Sequence, residues 1–110
     1  MESNFDDDLK ELQEKYKQQI QEKLSMIERL INEMKSSPKK ETFTGFRAEV
    51  HKIAGNAALY GYPEVSSLCK AMDTRLIEQI KQSEASGTWV FEEDVIKKFQ
   101  TELVKNFKEL

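Results

Sequence analysis

The sequence predicts an all-α protein, an antiparallel up-down four-helix bundle that forms a single domain over residues 1–110. Two observations predict this class. The chain has only four Gly and two Pro, and 34% of its residues are charged, which favours long helices over a turn-rich β architecture. Apolar residues also recur at steps of three and four in four successive segments, and this spacing places them on one face of a helix. Amphipathic helices with short connections bury such faces most simply by packing side by side in an antiparallel bundle.

The first segment predicts a helix of about eight turns. It ends before Pro38, because proline cannot continue a helix and biases the preceding Ser37 toward an extended conformation. The apolar face of this helix consists of Leu9, Leu12, Tyr16, Ile20, Leu24, Ile27, Ile31 and Met34.

Two further helices are predicted in the middle of the sequence. The second covers roughly residues 42–60 and stops at Gly61, which suits a left-handed position after a helix. The third starts at Pro63, since proline is tolerated in a first helical turn, and fades into residues 82–88, the longest candidate loop. The two apolar faces consist of Phe43, Phe46, Val50, Ile53, Ala57 and Tyr60 in the second helix, and of Val65, Leu68, Met72, Leu76 and Ile80 in the third.

The last segment predicts the fourth helix. Three acidic residues, Glu92, Glu93 and Asp94, precede it and lysines lie toward its end, an arrangement that the helix dipole favours. Its apolar face consists of Val95, Phe99, Leu103, Phe107 and Leu110.

Composition excludes several classes of function. A net charge of -3, with both signs interspersed, lacks the basic surface that nucleic-acid binding needs. The single Cys69 cannot form an intramolecular disulfide, and one Cys with one His cannot supply a zinc site of the usual kind. No leader segment and no apolar run long enough for a membrane span is recognisable. We therefore expect a cytoplasmic protein that binds neither nucleic acid nor membrane.

The surroundings of the single histidine are unusual. If the apolar face of the second helix packs in the core, His51 lies on a ridge with Arg47, Ala54, Gly55 and Ala58. Glycine inside a helix costs roughly 0.5–1 kcal/mol relative to alanine, so something should compensate for Gly55. Either another helix of the bundle packs closely there, or a separate protein approaches the imidazole. The second explanation accounts for more, because small residues clear the surface that close approach for group transfer requires.

The residues from His51 onward, HKIAGNAALYGYPEVSSLCKAMD, resemble the histidine-containing phosphotransfer (HPt) domain family. That family has a histidine, a glycine four residues later, a second glycine six residues further on, and then a leucine-rich helix. The matching residues here are His51, Gly55, Gly61 and Leu68. The long first helix and the Pro63 helix start extend the resemblance over nearly the whole chain.

The resemblance implies a function. His51 would accept a phosphoryl group, through Nε2, from a receiver-domain aspartate and pass it to another receiver. The implied partners are response regulator receiver domains and a hybrid sensor histidine kinase. Mg²⁺ would sit on the receiver, so this chain would need no cofactor or metal. It would act as a monomeric phosphoryl carrier rather than as an enzyme, and it has no kinase or ATPase motif.

The chain departs from the family pattern at one position. The family usually has a lysine three residues after the histidine, and this chain has Ala54. The candidates for a substitute cation are Arg47, Lys52 and Lys70. Asp73 matches an acidic residue of the family's next helix, and we expect it to orient the imidazole by accepting a hydrogen bond.

Two alternatives follow from the same sequence. Without the usual lysine, the protein could be an adaptor that binds receivers or kinases without efficient transfer. It could also be a plain structural bundle or a coiled-coil homodimer built on the first helix, which would bind no receiver.

Overall fold

Residues 4–108 are described by a computed structural model, and they form four α-helices without any strand. None of the helices in this range is long and apolar enough to cross a membrane. The predicted all-α class is confirmed, whereas Leu110, predicted on the fourth apolar face, lies outside the described residues. The elements are α1 (Asn4–Ser36), α2 (Lys40–Asn56), a 3₁₀ turn (Ala58–Tyr60), α3 (Pro63–Ser86) and α4 (Glu93–Lys108).

The connection between α1 and α2 is short and well bonded. α1 ends two residues before Pro38, as predicted. The hydroxyl of Thr42 donates to the Ser37 carbonyl at 2.7 Å and accepts from the Lys39 N–H at 3.2 Å. These bonds satisfy backbone groups at the first turn of α2. α2 therefore starts at Lys40, slightly earlier than its apolar pattern indicated.

The prediction of one continuous second helix to residue 60 is wrong. α2 ends at Asn56, and the chain tightens into the 3₁₀ turn, in which the Tyr60 N–H donates to the Ala57 carbonyl at 3.1 Å. Gly61 follows with a φ of 94°, the left-handed conformation that the sequence predicted there. Apolar spacing does not separate these two helix types over a single turn, because both keep residues three apart on similar faces.

The prediction of a loop over residues 82–88 is also wrong. α3 continues through Ser86, and its end is closed by Gly87, whose φ is 77° and whose N–H donates to the Ser83 carbonyl at 2.8 Å. Gln, Glu and Ala in this segment favour a helix even though they are polar or small. The segment also packs, since Ser83 is buried and Glu84 pairs with Lys40 at 2.7 Å.

The apolar faces of the four helices meet in one core. α1 and α3 each pack against both α2 and α4. Salt bridges join the end of α1 to the start of α4, between Lys35 and Glu93, and the start of α2 to the end of α3. Opposite ends of neighbouring helices thus lie together. The largest side chains with almost no exposure are Phe43, Phe46, Ile27, Met34, Ile53, Leu76 and Leu103.

An aromatic cluster lies where α1, the 3₁₀ turn and the end of α4 meet. Tyr16 of α1 stacks on Tyr60 with ring centroids 4.4 Å apart, and its hydroxyl donates to the Asn56 side chain at 3.2 Å. Tyr62 and Phe107 pack beside it. Burial raises the pKa of the Tyr16 phenol well above its ordinary value, so the hydroxyl stays a donor. The cluster holds the 3₁₀ turn, and with it the end of α2, against α1.

Ser66 joins α3 to α2 by a buried hydrogen bond, in which its hydroxyl donates to the Ala54 carbonyl at 2.7 Å. We expect Ser66→Ala to lower the free energy of unfolding by about 1–2 kcal/mol, because a buried carbonyl then loses its donor. Ser67, the exposed neighbour of Ser66, supplies a matched control. Ser67→Ala should change the free energy of unfolding by less than about 0.5 kcal/mol. Urea denaturation measures both, and equal effects of the two substitutions would contradict the assigned role.

Candidate functional site

The His51 imidazole lies on the exposed side of α2 with one of its nitrogens held by α3. Its side chain is 64% exposed, and its Nδ1 lies 2.8 Å from Oδ2 of Asp73. Asp73 itself is only 14% exposed. The exposed part of the ring is therefore accessible, while its Nδ1 contacts a mostly covered carboxylate on α3.

Arg47 shares the Asp73 carboxylate with the histidine. The Nε of Arg47 donates to Oδ1 at 2.7 Å, so the two carboxylate oxygens serve different partners. Desolvation raises the pKa of Asp73, but the hydrogen bonds from His51 and Arg47 outweigh it and hold that pKa below its ordinary value. An ionised carboxylate can only accept hydrogen bonds, so Nδ1 carries the proton of the neutral ring and Nε2 keeps its lone pair.

The same contacts make stability depend on acid pH. Because the pKa of Asp73 is lower in the folded protein than in the unfolded chain, its contribution is fully present above about pH 4 and is lost as the pH falls through the folded value. Asp73→Asn removes that contribution. We therefore expect wild type to be more stable than the variant at neutral pH, with the difference shrinking in acid. Urea denaturation at neutral pH and at acid pH measures the free energy of unfolding of both proteins. A difference between them that does not change with pH would contradict this role of Asp73.

Gly55 lies one turn beyond His51 and faces open space. A Cβ built on it meets no described atom within 4 Å outside its own helix backbone and chain neighbours, so the bundle does not need a glycine there for packing. Ala58 is exposed, and the Leu59 side chain is 68% exposed although it is large and apolar. We call the four residues His51, Gly55, Ala58 and Leu59 the histidine face. The site residues predicted from the sequence do not include Leu59. The signal that could have found it is that Leu59 is apolar, lies outside the apolar face of the second helix and follows Gly55 by one turn.

Ala54 does not lie on the exposed ridge where the sequence placed it. It is 6% exposed and belongs to the core, because it follows Val50 by one turn on the buried face of α2. The ridge beside the histidine is therefore narrower than predicted. A lysine at this position would start from a buried Cβ and would have to extend along the helix surface to bring its charge to solvent.

The three candidate cations have different surroundings. Arg47 is bound to Asp73 and is two-thirds covered. Lys52 and Lys70 are exposed, and neither has a salt bridge within residues 4–108. Lys70 precedes Asp73 by about one helical turn, so the two side chains leave α3 on the same side. The structure thus brings Arg47 and Asp73 together with His51, and leaves both lysines in solvent.

Cys69 lies beneath the site in the core. Burial, together with the nearby Asp73 charge, raises the pKa of its thiol to about 12, so the thiol is neutral at physiological pH. Among residues 4–108 no group of three or more His, Cys, Asp or Glu side chains is placed to hold a metal ion.

A family model described as the Hpt domain matches residues 8–106, a range that contains the whole site and most of every helix. No match was found among curated proteins or among solved structures.

Proposed function

The chain belongs to the Hpt domain family, whose members act in histidine phosphotransfer, and we propose that it is a cytoplasmic phosphoryl carrier of a multistep phosphorelay. In this proposal His51 accepts a phosphoryl group from the aspartyl phosphate of one receiver domain and passes it to the aspartate of another. The observation that supports it best is an exposed imidazole whose Nδ1 is held by a carboxylate while Nε2 points away from that contact.

The transfer step is a displacement at phosphorus. The Nε2 lone pair forms the N–P bond, the P–O bond to the receiver's aspartate breaks, and the carboxylate leaves with that electron pair. Nε2 has no proton to lose, because the ring proton stays on Nδ1 against Asp73. The ring gains positive charge as the bond forms, and the Asp73 carboxylate lies close enough to stabilise that charge. The reverse sequence delivers the group to the second receiver.

The histidine face suits a protein partner that must come close. Phosphoryl transfer needs the attacking and leaving atoms in line and in near contact, so long side chains around the nitrogen would hinder it. Gly55 and Ala58 leave that approach open, and Leu59 offers apolar area for the partner to cover. The receiver is expected to supply Mg²⁺ and to contribute the remaining charge stabilisation, while a hybrid sensor histidine kinase is the expected source of the phosphoryl group.

A labelling experiment tests the proposal. The protein is incubated with a receiver domain that carries a radiolabelled phosphoryl group, and the stability of the acquired label is measured in acid and alkali. Wild type should acquire acid-labile, alkali-stable label, as a phosphohistidine does. His51→Gln should acquire none while keeping the same circular dichroism spectrum. Label that persists on this variant would overturn the assignment of His51.

One observation favours a second function, an adaptor that binds receivers or kinases with little transfer. The usual lysine is replaced by the buried Ala54, and Arg47 is already engaged with Asp73. In that case a receiver would bind the chain while label failed to reach His51. Ala54→Lys should then raise the transfer rate, provided that the lysine reaches solvent.

A further inference from the structure

The first turns of α1 carry an apolar face that the bundle does not bury. We call residues 5–15 the arm; they precede Tyr16, the first buried residue of α1 in the described chain. Phe5 is 77% exposed and Leu12 is 47% exposed, with Leu9 between them on the same face. The arm continues α1 beyond the bundle, and a partner that covered Phe5 and Leu12 would stabilise it by removing their apolar surface from water.

We propose that a second copy of this chain covers the arm, with the two arms packed antiparallel. The apolar spacing of the arm is that of a coiled-coil seam, with Phe5 and Leu12 in d positions and Leu9 in the a position between them. Antiparallel pairing sets Leu9 against the partner's Leu12. By symmetry each contact occurs twice, as in a twofold interface.

The charges beside this seam select the antiparallel orientation. Asp8 and Lys15 occupy g positions on one flank of the seam, and antiparallel pairing brings the Asp8 of each copy beside the Lys15 of the other. A parallel pair would instead bring together the two runs of Asp at residues 6–8. Both Asp8 and Lys15 are exposed, and neither forms a salt bridge within residues 4–108.

The seam is short, since each arm contributes only Phe5, Leu9 and Leu12 to it, so the dimer should be weak and concentration-dependent.

Analytical ultracentrifugation of the unphosphorylated full chain tests this proposal independently of phosphotransfer. Wild type should shift from monomer toward dimer between low-micromolar and near-millimolar concentration. Leu12→Lys should remain monomeric over the same range. Asp8→Lys and Lys15→Asp should each weaken association by about fivefold or more, and the double variant should restore it. Circular dichroism of each variant verifies that the helices are intact.

Three results would overturn the proposal. Wild type could remain a monomer at every concentration, which would leave the arm to a different partner. Association could persist unchanged in Leu12→Lys, which would place the interface elsewhere. The double charge reversal could be as weak as the single ones, which would exclude the antiparallel register.

Discussion

Asp73→Asn is expected to slow phosphoryl transfer to His51 by about 10- to 100-fold. The carboxylate oxygen 2.8 Å from Nδ1 holds the ring in the tautomer that leaves Nε2 free to attack. An asparagine side chain is neutral and can present either its oxygen or its NH₂ group, so it fixes neither the tautomer nor the ring orientation. It also removes the negative charge that stabilises the phosphorylated ring.

Initial rates of label transfer from a phosphorylated receiver measure this effect. Glu78→Gln supplies a matched control, because it neutralises an exposed carboxylate farther along α3 and should leave the rate unchanged. Receiver affinity should be similar in both variants, since Asp73 lies mostly beneath the surface. A transfer rate in Asp73→Asn equal to that of wild type would show that the carboxylate does not position the imidazole.

Gly55→Leu is expected to reduce transfer by about tenfold or more without destabilising the protein. The added side chain would stand in the open space one turn from His51 and would hold a receiver's carboxyl group away from Nε2. The free protein should be equally stable or slightly more stable, by up to about 1 kcal/mol, because leucine is the better helix former. Slower transfer with unchanged stability would show that the absence of a side chain at position 55 serves the approach of a partner and not the packing of the bundle.

Ala85→Leu is the control for this experiment, because it adds apolar bulk at an exposed position of α3 close to the helix end. It should change neither transfer nor receiver binding. Receiver titration of the Gly55 variant should show weaker binding together with slower transfer. A clear drop in unfolding free energy in Gly55→Leu would contradict the role assigned to Gly55, since it would mean that the glycine serves the packing of the bundle.

Much of the fold follows from apolar periodicity and from a few helix-ending residues. Pro38, Gly61 and Pro63 have the roles that the sequence predicts, because their backbone restrictions act locally whatever packs around them. The two errors have a different origin. Residues 82–86 look like a loop by polarity, but they form helix because Ser83 is buried and Gly87 supplies the terminating conformation. The 3₁₀ turn after α2 depends on aromatic stacking between Tyr16 and Tyr60, residues far apart in the sequence.

The site was predictable to the extent that it depends on one helix. Helical spacing places His51 and Gly55 on one exposed side of α2, and the structure agrees. Arg47 lies on α2 and Asp73 on α3, so their contact depends on how the two helices pack and cannot be predicted from either helix alone. In the bundle, Arg47 supports the Asp73 carboxylate, although the sequence made it a candidate cation for phosphate. The sequence places Ala54 on the exposed ridge, but it lies in the core, because a rotation of one residue around α2 separates the surface from the core.

The nitrogen that carries the phosphoryl group can be identified directly by NMR. Long-range proton–nitrogen spectra of the nitrogen-labelled protein, recorded before and after phosphorylation by a receiver, distinguish the two ring nitrogens of the single histidine. Phosphorus should be bonded to Nε2 of His51, with the proton retained on Nδ1 toward Asp73. Phosphorus on Nδ1, or a phosphorylated protein whose His51 ring is unmodified, would contradict the proposed mechanism.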